Sequence, residues 1–89
     1  MRITVASVAA WMVEELERVE YLYQSSVVYE IHERFGEGFT YTNQNGNLAI
    51  TTGVLAAFNA LTGDSVVWER GQRLWRKRAE YDAPGRQQL

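Results

Sequence analysis

The side chains with chemistry to offer are few, and their spacing decides what they can do. His32 is the single histidine and the chain has no cysteine. A zinc-like centre draws three or four converging ligands. One imidazole with no thiol beside it therefore gives no metal site, and His32 reads as a surface or boundary residue next to an apolar helix stripe. Glu14, Glu15, Glu17 and Glu20 crowd one short stretch. Acid–base catalysis needs two carboxylates held in different environments across a cleft. Glu14 and Glu17 instead point outward from one helix, and Glu15, nearer the buried stripe, is placed to pair with an arginine of the C-terminal hairpin. Ser25-Ser26 lacks the strand–turn–helix setting of a nucleophile elbow and reads as a helix start. The segment NQNGN, residues 43–47, lacks the Gly-Lys-Ser/Thr that grips phosphate. The expectation is a protein with no catalytic residue, no metal and no cofactor.

A second cluster is basic. VVWERGQRLWRKR, residues 66–78, carries Arg70, Arg73, Arg76, Lys77 and Arg78 around Trp68 and Trp75. Such a stretch is either a wing for a nucleic-acid backbone or a hairpin whose aromatics close a core. Residues 1–40 hold seven acids against three arginines, and residues 69–89 hold six bases against three acids. The two ends are thus complementary in charge while the whole chain has a net charge of −2. That pattern favours attraction within or between copies over a polyanion partner. The basic residues are expected to be solvated or to meet the acids of the first helix, and weak, non-sequence-specific backbone contact through these five is the alternative.

The elements that must position these residues follow from periodicity. Val5, Val8, Met12, Leu16 and Val19 make one stripe of an amphipathic helix over about 4–20. Thr4 can cap it, and Glu14–Arg18 forms a favourable i,i+4 pair. The stripe runs through the apolar MRITVASVAAWMV segment, which otherwise mimics a signal peptide and is too short to span a membrane. After a short extended YLYQSS, a second helix covers about 25–35, with Val27, Val28, Ile31 and Phe35 inward, Glu30 paired with Arg34, and Gly36 as its stop. Asn45-Gly46 between alternating apolar residues signals a hairpin. A third helix covers 51–62, begun by Thr51 or Thr52 and ended by Gly63. The basic stretch forms two strands. A two-residue turn at Arg70-Gly71 sets Trp68 opposite Arg73 and Val66 opposite Trp75, whereas a longer turn brings Leu74 beside Trp68. YDAPGRQQL has turn residues and no apolar period.

At 89 residues the chain is one small domain. The expected architecture is α+β: three helices plus a C-terminal β-hairpin, winged-helix-like, with a long connection of residues 36–50 between helices 2 and 3. Residues 1–81 make the domain and 82–89 a flexible tail or arm. The blocks AAWMVEELE, YLYQ, FTYTNQNGNLAI, VLAAFNALTGDSVVWERGQRLWRKR and APGRQQ give the chain a resemblance to a family of small uncharacterised bacterial proteins, including some carried on integron gene cassettes. The resemblance implies a compact bacterial domain of unknown function, with no established active site to carry over.

The third helix supplies the functional expectation. It holds no charged residue, and Asn59 is its one amide. A groove-entering helix without a positive charge gains little from phosphates, so sequence-specific reading of DNA by this helix is not expected. Val54, Phe58 and Leu61 share one face with Leu55 on its flank, and Gly53, Ala56 and Ala60 lie nearly opposite. A helix apolar on one side and smooth on the other is ordinarily covered on both. In so short a chain a second copy is the natural cover. The reading is a cytoplasmic, non-enzymatic interaction module. It is expected to be a homo-oligomer that self-associates through Gly53, Ala56 and Ala60, the hairpin, or both.

Overall fold

The computed structural model describes residues 3–88; Met1, Arg2 and Leu89 lie outside the described residues. In chain order these form α1 (Val5–Val19), β1 (Tyr21–Tyr23), α2 (Gln24–Phe35), β2 (Thr40–Thr42), β3 (Leu48–Ile50), α3 (Thr52–Thr62), β4 (Val66–Glu69), β5 (Leu74–Lys77) and β6 (Gln87–Gln88). The architecture is α+β. Strand β1 pairs antiparallel with β5, and β5 with β4. That strand order, with a helix before β1 and two between β1 and β4, is winged-helix-like. The small antiparallel sheet β2–β3 fills the long connection between α2 and α3.

Local chemistry explains the boundaries. The Thr4 hydroxyl accepts the Ser7 backbone N–H at 3.2 Å, and the Ser7 hydroxyl accepts that of Thr4, so two otherwise unpaired donors are satisfied reciprocally. Gly36 ends α2 with φ +89° and Gly63 ends α3 with φ +54°, conformations that a side chain disfavours. At the first hairpin the Asn43 side-chain oxygen accepts the backbone N–H groups of Asn45 and Asn47, both at 3.0 Å, and Gly46 takes the positive φ of the turn.

The core lies where α1, α2 and α3 meet the inner face of the β1-β5-β4 sheet. Val8, Ala9, Met12 and Leu16 of α1, Val27, Val28 and Ile31 of α2, and Val54 and Phe58 of α3 are buried there with Leu22, Val66 and Trp75. The ends of the expected stripes differ. Val5 is 41% exposed at the open N-terminal end of α1. Leu61 is 57% exposed, because Thr62 takes the third inward position after Val54 and Phe58. The expected helical ion pairs also shift. Arg18 pairs with Glu15 at 2.5 Å instead of Glu14, so Glu15 meets no hairpin arginine. Arg34 lies over the Trp11 ring at 5.4 Å in a cation–π contact instead of pairing with Glu30.

The second hairpin corrects both expected registers. Trp68 stands opposite Trp75 and Glu69 opposite Leu74, across a four-residue loop. The loop closes through the Arg73 N–H, which donates to the Glu69 carbonyl at 2.8 Å, and its positive φ falls on Arg73 (+56°) instead of Gly71. The two indoles therefore meet each other, with centroids 4.7 Å apart, and Trp75 meets Phe58 edge-on at 5.4 Å.

The C-terminal segment, residues 82–88, lies against the sheet. Strand β6 runs parallel to β4, its backbone carbonyls at Arg86 and Gln88 accepting the N–H groups of Trp68 and Arg70 at 2.8 and 2.9 Å. The Gln88 side chain folds back to bond the backbone of Ala83 and Gly85. These bonds close an edge of β4 that would otherwise be unpaired.

Candidate interaction surface

The outward side of α3 is built by sequence spacing. Val54, Phe58 and Thr62 recur every four residues and turn one side into the core, with Leu55 half-buried on the flank. The opposite side is left to Gly53, Ala56, Ala60 and Leu61, all exposed. Among the helices α1 packs most extensively on α3. A Cβ added at Gly53 would lie 3.4 Å from Val5 Cγ1, so Gly53 sits at the seam between these helices. Ala56 and Ala60 face outward. The three residues expected from the sequence thus divide: Gly53 borders the intramolecular seam, and Ala56 and Ala60 with Leu61 form an uncharged solvent-facing strip.

The five basic residues of the hairpin are not one patch. Arg76 is buried, and its guanidinium grips Asp82 in a two-pronged pair at 2.7 and 2.8 Å while also bonding Glu69. Asp82 in turn accepts the Ala79 N–H at 2.7 Å. The Arg76 bonds, with that N–H, hold the Asp82 carboxyl down at about 2. The Asp82 bonds first, then those of Glu69, raise the Arg76 pKa further. Arg78 donates to the backbone carbonyls of Asp64, Ala83 and Gly85, tying the start of the C-terminal segment down. Lys77 pairs with Glu17 of α1 at 2.6 Å, the meeting of basic hairpin and acidic helix anticipated from the charge pattern. Arg70 and Arg73 are exposed at the hairpin tip, and Arg73 donates to the Gln24 side chain at 3.1 Å. Arg76 and Arg78 are therefore committed internally, which corrects the expectation that they are solvated or meet acids of the first helix.

Two working residues gave no signal in the sequence. Asp82 stands in a turn-rich tail, and its partner is fixed by how that tail folds back. Arg86 donates to the carbonyls of Asn59 and Gly63 at 3.1 and 2.6 Å and to the Thr62 hydroxyl at 3.2 Å. It thereby satisfies carbonyls at the end of α3, which its own sequence leaves without a basic last turn.

The candidate chemical groups fall apart in space. His32 is exposed, with Nδ1 3.0 Å from the Thr40 hydroxyl. Glu15 is bonded by Arg18, which lowers its pKa, and Glu17 by Lys77. Ser25 and Ser26 lie in the first turn of α2, and NQNGN is the turn of the first hairpin. Among the described residues no group of three His, Cys, Asp or Glu side chains could hold a metal ion. A cleft of about 210 Å³ beside Trp68, Trp75, Leu55, Asn59 and Arg86 is smaller than ordinary small-molecule sites.

Residues 4–77 match a family of unknown function, DUF6953. The chain belongs to that family. The DUF6953 match runs from the Thr4 cap to the end of β5 and so takes in all three helices and the hairpin, but not Asp82, Arg86 or β6. No curated protein and no solved structure matches the chain. No helix among the described residues is long and apolar enough to cross a membrane.

Proposed function

We propose that this DUF6953 protein is a small non-enzymatic interaction module that self-associates through the outward side of α3, with the hairpin contributing. One observation carries the reading: α3 has no charged residue, and its Ala56, Ala60 and Leu61 side faces solvent in a single copy. The outward stripe of a surface helix ordinarily carries charged and polar side chains. Small side chains also let a second backbone approach closely, and a two-fold pairing of this strip on itself needs no other partner. The reading includes a cytoplasmic setting, and the bacterial origin and gene-cassette context that the family resemblance implies. Nucleic-acid binding through Arg70, Arg73, Arg76, Lys77 and Arg78 has less support, since Arg76 and Arg78 are held by the protein's own carboxylate and carbonyl groups.

Substitution on the strip tests the proposal. Ala56→Glu and Ala60→Lys each place an unpaired ion at the contact, which is strongly unfavourable once covered. Both variants are expected to be monomeric with helical circular dichroism retained. Variants that associate as the unmodified protein does would contradict it.

A further inference from the structure

The chain has four asparagines, and the folded structure sets one of them apart. Asn43 is held by its side chain, whose oxygen accepts the backbone N–H groups of Asn45 and Asn47. Asn59 lies half-buried within α3 and is followed by Ala60, and Asn47 is followed by Leu48. Asn45 stands exposed at the tip of the β2–β3 hairpin, with a carboxamide that makes no hydrogen bond among the described residues. Gly46 follows it, with φ +79° and open space where a side chain would stand. No side chain therefore screens the peptide nitrogen next to the Asn45 carboxamide.

We propose that Asn45 is a site of spontaneous covalent modification, converted through a cyclic imide to aspartate and isoaspartate. The Gly46 nitrogen gives its proton to solvent base and attacks the side-chain carbonyl carbon of Asn45. The carbon–nitrogen bond of the carboxamide breaks and ammonia leaves. Water then opens the ring. Opening at the side-chain carbonyl gives aspartate; opening at the main-chain carbonyl gives isoaspartate, in which the chain runs through the former side chain. The fold sets the rate of the first step. The Gly46 N–H is donated to the Asn43 carbonyl at 2.9 Å, which withholds the attacking nitrogen until the turn frays. One net hydrogen bond is a factor of roughly two to ten, so the folded chain reacts more slowly than the unfolded chain by about that factor. Either product adds a negative charge to a chain whose net charge is −2. Isoaspartate also inserts a methylene inside both bonds that close the turn, Gly46 N–H to Asn43 and Asn43 N–H to Asn47 at 2.8 Å. The pairing of Thr42 with Leu48 lies next to that insertion and is lost first, ahead of Thr40 with the buried Ile50. The proposal does not rest on self-association through α3.

The test incubates the full-length chain at neutral and at mildly alkaline pH, folded and in urea. Each asparagine is followed by fragmentation mass spectrometry of proteolytic peptides. Conversion is expected at Asn45 ahead of Asn43, Asn47 and Asn59, faster at the higher pH, and roughly two- to tenfold slower in the folded chain than in urea. Asn43→Ala removes the side-chain acceptor that organises the turn. It is expected to raise the folded rate toward the rate in urea and to leave the rate in urea unchanged. A folded protein that keeps the Asn45 amide while the chain in urea converts fully, or conversion spread evenly over the four asparagines, overturns the site. Equal rates in the folded and urea-treated chains overturn the control by the turn.

Discussion

Trp75→Ala probes the centre of the fold. The indole is 5% exposed, stands across from Leu22 on one side and Trp68 on the other, and meets Phe58 edge-on at 5.4 Å. Truncating a buried aromatic to alanine costs about 3–5 kcal/mol, from lost transfer energy and the cavity left behind. Native stability runs at about 0.05–0.15 kcal/mol per residue, so a chain of this size has roughly 4–13 kcal/mol in all. The substitution therefore removes roughly a quarter of it or more. For a domain of this length each kcal/mol shifts the melting midpoint by about 4–8 °C, so thermal denaturation should show a fall of about 12–40 °C. Trp68 is half-buried, and Trp68→Ala should cost less. Because the two rings touch, the double variant should lose about 0.5–1.5 kcal/mol less than the sum of the singles. A midpoint lowered by only a degree or two at Trp75, or strictly additive losses, would refute the packing described for the hairpin.

The Asp82 carboxyl, held at about 2 by Arg76 and the Ala79 N–H, titrates below an ordinary aspartate. The stability it contributes is full above the unfolded-state value near 4 and is lost as the pH falls toward 2. The difference in melting midpoint between the unmodified protein and Asp82→Asn should therefore be constant above about pH 5 and shrink below pH 4; a difference that persists at pH 2 would contradict the pairing. Changing Arg76, Lys77 and Arg78 together to Ala should lower the melting midpoint strongly, chiefly because Asp82 and Glu69 lose Arg76, while Lys77→Ala alone should shift it little, its pair with Glu17 being solvent-exposed. Duplex DNA titrated at physiological salt should show no submicromolar binding; tight, salt-dependent binding abolished by Arg70→Ala with Arg73→Ala would reverse the ranking of the two functional readings.

The helices were legible in the sequence because local signals and burial agree. Thr4 caps where the stripe begins, and Gly36 and Gly63 stop the helices where it ends. The winged-helix-like order followed from three helices and a terminal hairpin. What was not legible depends on tertiary contact. The hairpin register turns on a positive φ at Arg73, whereas a sequence rule assigns the pivot to Gly71. Leu61 is turned outward because the inner position one residue on is filled by Thr62, whose hydroxyl bonds the Phe58 carbonyl at 2.9 Å. Strand β6 holds two glutamines and no apolar period, and its place is set by Asp82 folding back on Arg76 and by Arg86 reaching Asn59, Thr62 and Gly63 far back along the chain. On the candidate surface Ala56 and Ala60 lie exposed, on the side of α3 away from the buried Val54 and Phe58. That Arg76 is buried was not legible, since the bidentate carboxylate that accounts for it lies in the tail.

Sedimentation equilibrium of the unmodified protein, from low to high micromolar concentration, tests the central claim most directly. The account predicts a concentration-dependent rise from one copy to two, as expected when an uncharged helix face is covered by its own duplicate. A single species of one-chain mass persisting at high micromolar concentration would contradict it, and the outward side of α3 would then be an ordinary solvent face of a monomer.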